Sequence, residues 1–124
     1  MILLADPDPE SRARLARALE GAGHRVTAVA TGMEVLQVLM QTSPRLVVLD
    51  LDLKWVSGRR LIDLLRRNDR LARIPVLAIS RTDTASLGVP LVKRPVDPMD
   101  LLRLVSGIPS VAHDHGTGWA GGRD

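Results

Sequence analysis

Apolar residues along this chain fall in short unbroken runs, separated by stretches in which they recur at helical spacing. Ile2-Leu3-Leu4-Ala5 is the first run and predicts a strand. Asp8 suits the N-cap of a following helix with Pro9 at its first position. Leu15, Ala18, Leu19 and Ala22 continue that helix until Gly21 to Gly23 stops it. Arg25 to Val29 reads as a short strand. Thr31-Gly32-Met33-Glu34 opens a second helix whose Val35, Leu36, Val38 and Leu39 face a sheet, and Pro44 ends the connection. Leu46 to Leu49 is a third strand. Gly58 precedes a third helix, with Leu61, Ile62, Leu64 and Leu65 directed inward and Arg66, Arg67 and Arg70 directed to water. Pro75 leads into a fourth strand, Val76 to Ile79, and Val89 to Val92 is a brief fifth. Pro98 opens a last helix through about Val105.

Strands and helices alternating in this way imply an α/β fold, with a parallel sheet covered on both faces. The pattern gives one domain over residues 1–105. From Ser106 the chain turns Gly-, His- and Asp-rich, so residues 106–124 are expected to form a disordered tail. Internal repeats are absent.

Composition changes this picture in three ways. Phe and Tyr are missing, and Trp55 and Trp119 are the only aromatic residues, so Leu, Val, Ile and Ala must fill the core. Without Cys there is neither a disulfide framework nor a thiolate metal site. That usage, with no leader and no membrane-spanning run, makes a cytoplasmic protein without membrane contact the expectation. The net charge of +3 comes mainly from Arg, including Arg12, Arg14, Arg17, Arg59, Arg60 and Arg73. Nucleic-acid binding would call for these on one face with stacking aromatics, and neither condition is evident.

The candidate chemistry sits where apolar strands end in acids. Leu46-Val47-Val48-Leu49 ends in Asp50, and the first strand ends in Asp6. A carboxylate is costly to bury unpaired, so each belongs at a strand mouth. Open parallel sheets bind ligands beyond those carboxyl ends. Two acids delivered to one edge suggest a site for a divalent metal or a phosphoryl group.

Over about residues 1–105 the chain resembles the receiver domain of bacterial response regulators. The resemblance rests on Leu46 to Leu53 with Asp50 and Gly58, on Ile79-Ser80, and on Lys93-Arg94-Pro95 followed by Asp97-Pro98. It implies a flavodoxin-like (βα)5 sandwich with a five-stranded parallel sheet. Asp50 would accept a phosphoryl group from a histidine kinase, with Mg2+ held nearby. The metal ligands it implies are Asp6, Asp50 and Asp52, and the phosphate contacts are Ser80 with Arg94 or Lys93. A metal ion and a side-chain cation would together offset the repulsion between carboxylate and phosphate.

Four departures bear on function. Pro7 stands where the family has a second acid after the first strand, leaving Asp52 as a substitute ligand or a solvated loop acid. Arg94 stands in place of Lys before Pro95; either it makes the phosphate contact or the loop shifts register to bring in Lys93. Arg81 to Gly88 leaves room for one or two turns at ~3.6 residues per turn, so the fourth helix is shortened or missing. Leu91 replaces the switch aromatic.

The expected function is an atypical receiver module that acts through protein–protein interaction, with weakened or absent phosphorylation switching. Its partner would be a histidine kinase or another signalling protein, and the oligomeric state stays open. The alternative is a fully phosphorylation-competent single-domain response regulator. A more distant one is a small aspartyl-nucleophile phosphatase, since Asp50-x-Asp52 also resembles the haloacid-dehalogenase motif. No acidic pair follows Ser80 before the tail to support it. His24 reads as a surface turn residue, and His113 and His115 as tail residues. Trp55 either caps the core or anchors a partner.

Overall fold

The computed structural model describes residues 1–82 and 87–108. It places β1 (Ile2–Ala5), β2 (Val26–Val29), β3 (Leu46–Asp50), β4 (Val76–Ser80) and β5 (Leu91–Lys93) in one parallel sheet of order β2-β1-β3-β4-β5. The helices are α1 (Pro9–Gly21), α2 (Gly32–Gln41), α3 (Gly58–Arg67) and α4 (Pro98–Ser106). This is the flavodoxin-like α/β arrangement with five parallel strands and four helices. Among the described residues no α-helix lies between β4 and β5. Residues 109–124, to which most of the expected tail belongs, lie outside the described residues.

Strand parity divides the core. Ile2, Leu4, Leu46, Val48, Leu77, Ile79 and Val92 pack with Leu15 and Leu19 of α1 and Leu101 and Val105 of α4. The alternate positions Leu3, Ala5, Val47, Leu49 and Ala78 pack with Val35 and Leu39 of α2 and Leu61, Ile62 and Leu65 of α3. Because side chains alternate along a strand, a continuous apolar run serves both layers at once.

Local signals account for where the helices begin. Asp8 accepts the Ser11 N–H at 2.9 Å, which satisfies a donor that the first helical turn leaves unpaired. Thr31 and Glu34 form a reciprocal capping box at the start of α2. Ser57 caps α3, whose first residue, Gly58, lies against β3: a Cβ there would stand 2.4 Å from the Asp50 carbonyl oxygen.

Several expectations are corrected. The fifth strand covers Leu91–Lys93 rather than Val89 to Val92. Gly88 turns at φ 71° and Pro90, lacking an N–H, contributes only its carbonyl to Ala78 N–H (2.9 Å), so regular pairing starts after it. Leu64 is 38% exposed, on the outer side of α3 from Leu61 and Leu65. Arg70 is not simply solvated: it donates to Leu39 O at 2.6 Å and Ser43 Oγ at 2.7 Å, tying the end of α2 to the segment after α3. His24 is buried, because Gly23 at φ 99° folds the chain back and the His24 N–H reaches Leu19 O at 3.1 Å. Trp55 is 81% exposed and does not cap the core.

Candidate functional site

The same parity decides which side chains meet at the carboxyl edge. Leu4 and Val48 face the α1/α4 layer, so Asp6 and Asp50, two positions on, emerge on that side. Pairing of Ala5 with Leu49 sets their strand ends level, and order β2-β1-β3 makes this the crevice where connections diverge to opposite faces. Val92 also faces that layer, and Arg94 follows it in parity. Lys93 is exposed, and Ser80 follows Ala78 toward the α2/α3 side.

Asp6 and Asp50 are buried, at 0% and 2% exposure. Arg94 spans them. Its NH2 donates to Asp6 Oδ1 at 2.8 Å and to Asp50 Oδ2 at 2.6 Å, and its Nε donates to Asp50 Oδ2 at 3.0 Å. Its NH1 donates to Ser11 Oγ at 3.1 Å, and the Ser11 hydroxyl donates to Asp6 Oδ2 at 2.6 Å. Asp6 Oδ1 also takes the Asp8 N–H at 3.0 Å, and Asp50 Oδ1 the Asp52 N–H at 2.7 Å. Burial alone would lower the Arg94 pKa; hydrogen bonds to Asp50 and Asp6 and their negative charge outweigh it and hold the pKa above its ordinary value. The guanidinium therefore stays charged.

Of the expected site residues, the structure brings Asp6, Asp50 and Arg94 into one network. Ser80 is buried at the end of β4, and its side chain makes no hydrogen bond to that network; its Oγ accepts the Thr82 N–H at 3.2 Å. The Asp52 side chain is exposed, and it is the Asp52 backbone N–H that engages Asp50. Lys93 lies outside the network. Sequence reasoning missed Ser11 and Arg12, whose NH1 donates to Asp6 O at 2.9 Å. The available signal for Ser11 was its place at the head of the buried stripe Ser11, Leu15, Leu19, where a polar residue needs a polar partner.

A cavity of about 770 Å³ opens onto Asp50 and Arg94, with Arg14, Lys54 and Arg81 among its lining residues and Asp8 and Asp52 opposing them. An anion entering there would meet cations at the rim and the guanidinium at the floor. Of the expected magnesium ligands, Asp6 and Asp50 share one Arg94 nitrogen, and Asp52 lines the same cavity; among the described residues, no three His, Cys, Asp or Glu side chains form a metal-holding group. Asp8, the acid two positions after Asp6, is committed to the α1 cap. Both oxygens of Asp6 and both of Asp50 already accept from N–H or O–H donors, and as arranged they do not fit a magnesium ion.

A five-stranded parallel sheet of this order, with acids at the ends of β1 and β3 and a cation after β5, defines a receiver-type signalling module. Residues 2–97 match the response regulator receiver domain family, and the chain belongs to it. It is 31% identical over 112 residues to an uncharacterized 14.6 kDa protein in the sodA1 3' region of Leptolyngbya boryana, covering 84% of this chain and 86% of that protein. It is 37% identical over 79 residues to RpaA, a DNA-binding dual master transcriptional regulator of Synechocystis, covering 64% of this chain but 33% of that protein. The receiver domain of the sensor histidine kinase PA1611 from Pseudomonas aeruginosa, solved with magnesium coordinated in its active site cleft, superposes with a TM-score of 0.78 at 20% identity; the match covers 86% of this chain and 93% of that one. Receiver domains partner histidine kinases. Among the described residues, no helix is long and apolar enough to cross a membrane.

Proposed function

We propose that this receiver is an atypical one: a two-component signalling module that works through contact with a kinase or another signalling protein, with Asp50 as its acceptor position but weak or absent phosphorylation switching. The observation that carries this reading is the Arg94 network. A carboxylate attacks phosphorus through an oxygen lone pair, and Asp50 Oδ2 already accepts from both Nε and NH2 of Arg94 while Oδ1 accepts from Asp52 N–H. Those bonds must loosen before Asp50 reacts. Should a phosphoryl group reach it, Arg94 is the adjacent cation and Ser80 the nearest strand-end hydroxyl. Leu91 in place of an aromatic favours the same reading, because it removes the side chain whose burial would pass the event to a partner.

The test is incubation of the purified chain with an acyl phosphate and magnesium, followed by intact mass measurement. Slow or partial addition of one phosphoryl group is expected. Complete and stable labelling, lost in Asp50→Asn, would instead establish the fully phosphorylation-competent regulator.

A further inference from the structure

We infer that Arg94 is the resident counter-cation of this pocket, holding Asp6 and Asp50 together in the role a divalent ion would otherwise fill, so that the site is built to stand without magnesium. The inference rests on reading the β1–β3 edge as the receiver pocket, and it goes beyond the question of whether Asp50 is labelled.

Two carboxylates this deeply buried repel one another and need a shared positive charge. A side chain supplies it here. One nitrogen, NH2, reaches both acids, at 2.8 and 2.6 Å, which is the bridging position between them. The planar fork then spends Nε on Asp50 and NH1 on Ser11, so orientation as well as charge is fixed. A lysine ammonium is a single point charge and lacks this fork. Ser11 closes the ring by donating to the Asp6 oxygen that Arg94 does not reach.

The surroundings offer an ion little in exchange. Magnesium requires about six oxygens in near-octahedral array. Pro7 brings no side-chain oxygen, the Asp8 carboxylate serves the Ser11 N–H, and the Asp52 N–H takes up Asp50 Oδ1. Any ion using Asp6 and Asp50 would share their oxygens with a guanidinium that repels it and stays protonated. Pro7 and Arg94 are in this sense complementary: the first withholds a ligand and the second occupies the place of the metal.

The experiment measures Mn2+ binding to the full chain, by loss of the free-ion electron paramagnetic resonance signal, alongside thermal unfolding in MgCl2 against KCl of equal ionic strength. The wild type is expected to bind no Mn2+ with a Kd below about 1 mM, and its unfolding temperature to move by less than about 1 °C in magnesium. Sub-millimolar binding that disappears in Asp50→Asn would overturn the inference. Arg94→Gln and Arg94→Lys should gain Mn2+ affinity by at least about tenfold. If either variant folds and gains none, Arg94 is not what keeps the ion out, and the inference also falls. Should Arg94→Gln not fold, Arg94→Lys retains a positive charge and decides the point. Metal binding by the wild type leaves the proposed reading of weak switching untouched. Rapid labelling of Asp50 in the presence of a chelator defeats that reading while leaving this inference standing.

Discussion

Arg94 grips Asp50 through two nitrogens, Nε at 3.0 Å and NH2 at 2.6 Å, although the two residues are 44 positions apart in sequence. The link crosses from β5 over β4 to β3 and ties the sheet's last strand to its centre. Removing one partner of a buried pair is worse than removing both, because the charge left behind is still buried. Arg94→Met keeps side-chain length and deletes the guanidinium, leaving Asp6 and Asp50 opposed. It should destabilise the protein by about 3 kcal/mol at neutral pH, measured by urea unfolding. Arg94→Lys should cost roughly half as much, since it keeps the charge but not the fork. A Met variant within about 0.5 kcal/mol of wild type would mean the network contributes little.

Gly58 couples the third helix to the backbone of Asp50 and its neighbour. Its N–H donates to Leu51 O at 3.2 Å, and an added Cβ would lie 2.4 Å from the Asp50 carbonyl oxygen and 2.7 Å from Leu51 Cα. Both obstacles are backbone, so no rotamer change relieves them. Gly58→Ala should therefore cost about 2–3 kcal/mol. Because the displaced atoms belong to Asp50 and its neighbour, the variant should also shift the Asp50 amide resonance. Wild-type stability would show that α3 can slide away from β3.

Strands β1, β3 and β4 were legible because each carries an unbroken apolar run whose alternate residues serve two layers. The starts of α1 and α2 were legible because Asp8 and Thr31 are short polar side chains standing ahead of helical periodicity, whereas the Ser57 cap of α3 was passed over for Gly58, which is the first residue of that helix. The placement of Asp6 and Asp50 on one edge follows from parallel pairing of the runs that precede them. Ser11 and Arg70 were not legible, since their partners come from folding. Ser11 meets Arg94 across 83 positions, and Arg70 meets Leu39 O across 31. Val89 is as apolar as a strand residue, but the turn at Gly88 and the missing N–H of Pro90 delay pairing. His24 has no periodic signal of its own, and its burial follows from the fold-back at Gly23.

The capping box of α2 should leave a mark on acid stability. The Ala30 N–H donates to Glu34 Oε1 at 2.9 Å and lowers the Glu34 pKa from 4.5; slight burial opposes this, while the Thr31 N–H and hydroxyl and the nearby Arg12 charge add to it. A carboxyl whose folded pKa is depressed stabilises the fold above its unfolded pKa, and that contribution fades as pH falls through the folded value. Glu34→Ala should thus be less stable than wild type at neutral pH. The gap should narrow as pH drops from about 5 to about 3, read from urea midpoints. A gap constant across that range would show that the charge of Glu34 plays no part.

Trp55 combines a strained backbone with an exposed side chain. Its backbone lies at φ 75°, the left-handed region that costs an L-residue about 1–2 kcal/mol, and its side chain is 81% exposed. Burial therefore returns little of that cost. The conformation is imposed by its neighbours: Val56 packs so closely on α2 that a Cβ on Gly32 would stand 1.9 Å from Val56 O, while the Gly32 N–H donates to Lys54 O at 3.1 Å. The loop is pinned on both sides of Trp55, and Trp55 absorbs the turn. Glycine adopts this φ without strain but loses more chain entropy on folding, so the two effects partly cancel. Trp55→Gly should accordingly hold or raise stability, by up to about 1 kcal/mol, in denaturant unfolding monitored by circular dichroism. A loss above about 1 kcal/mol would show that the indole packs on Leu36 and Leu64, with which it lines a shallow cleft of about 520 Å³. If stability holds, the residue is not retained for folding. An exposed, rigidly presented tryptophan beside an arginine, Arg60, then has the composition of an interaction hot spot on the loop that carries Asp50 into α3.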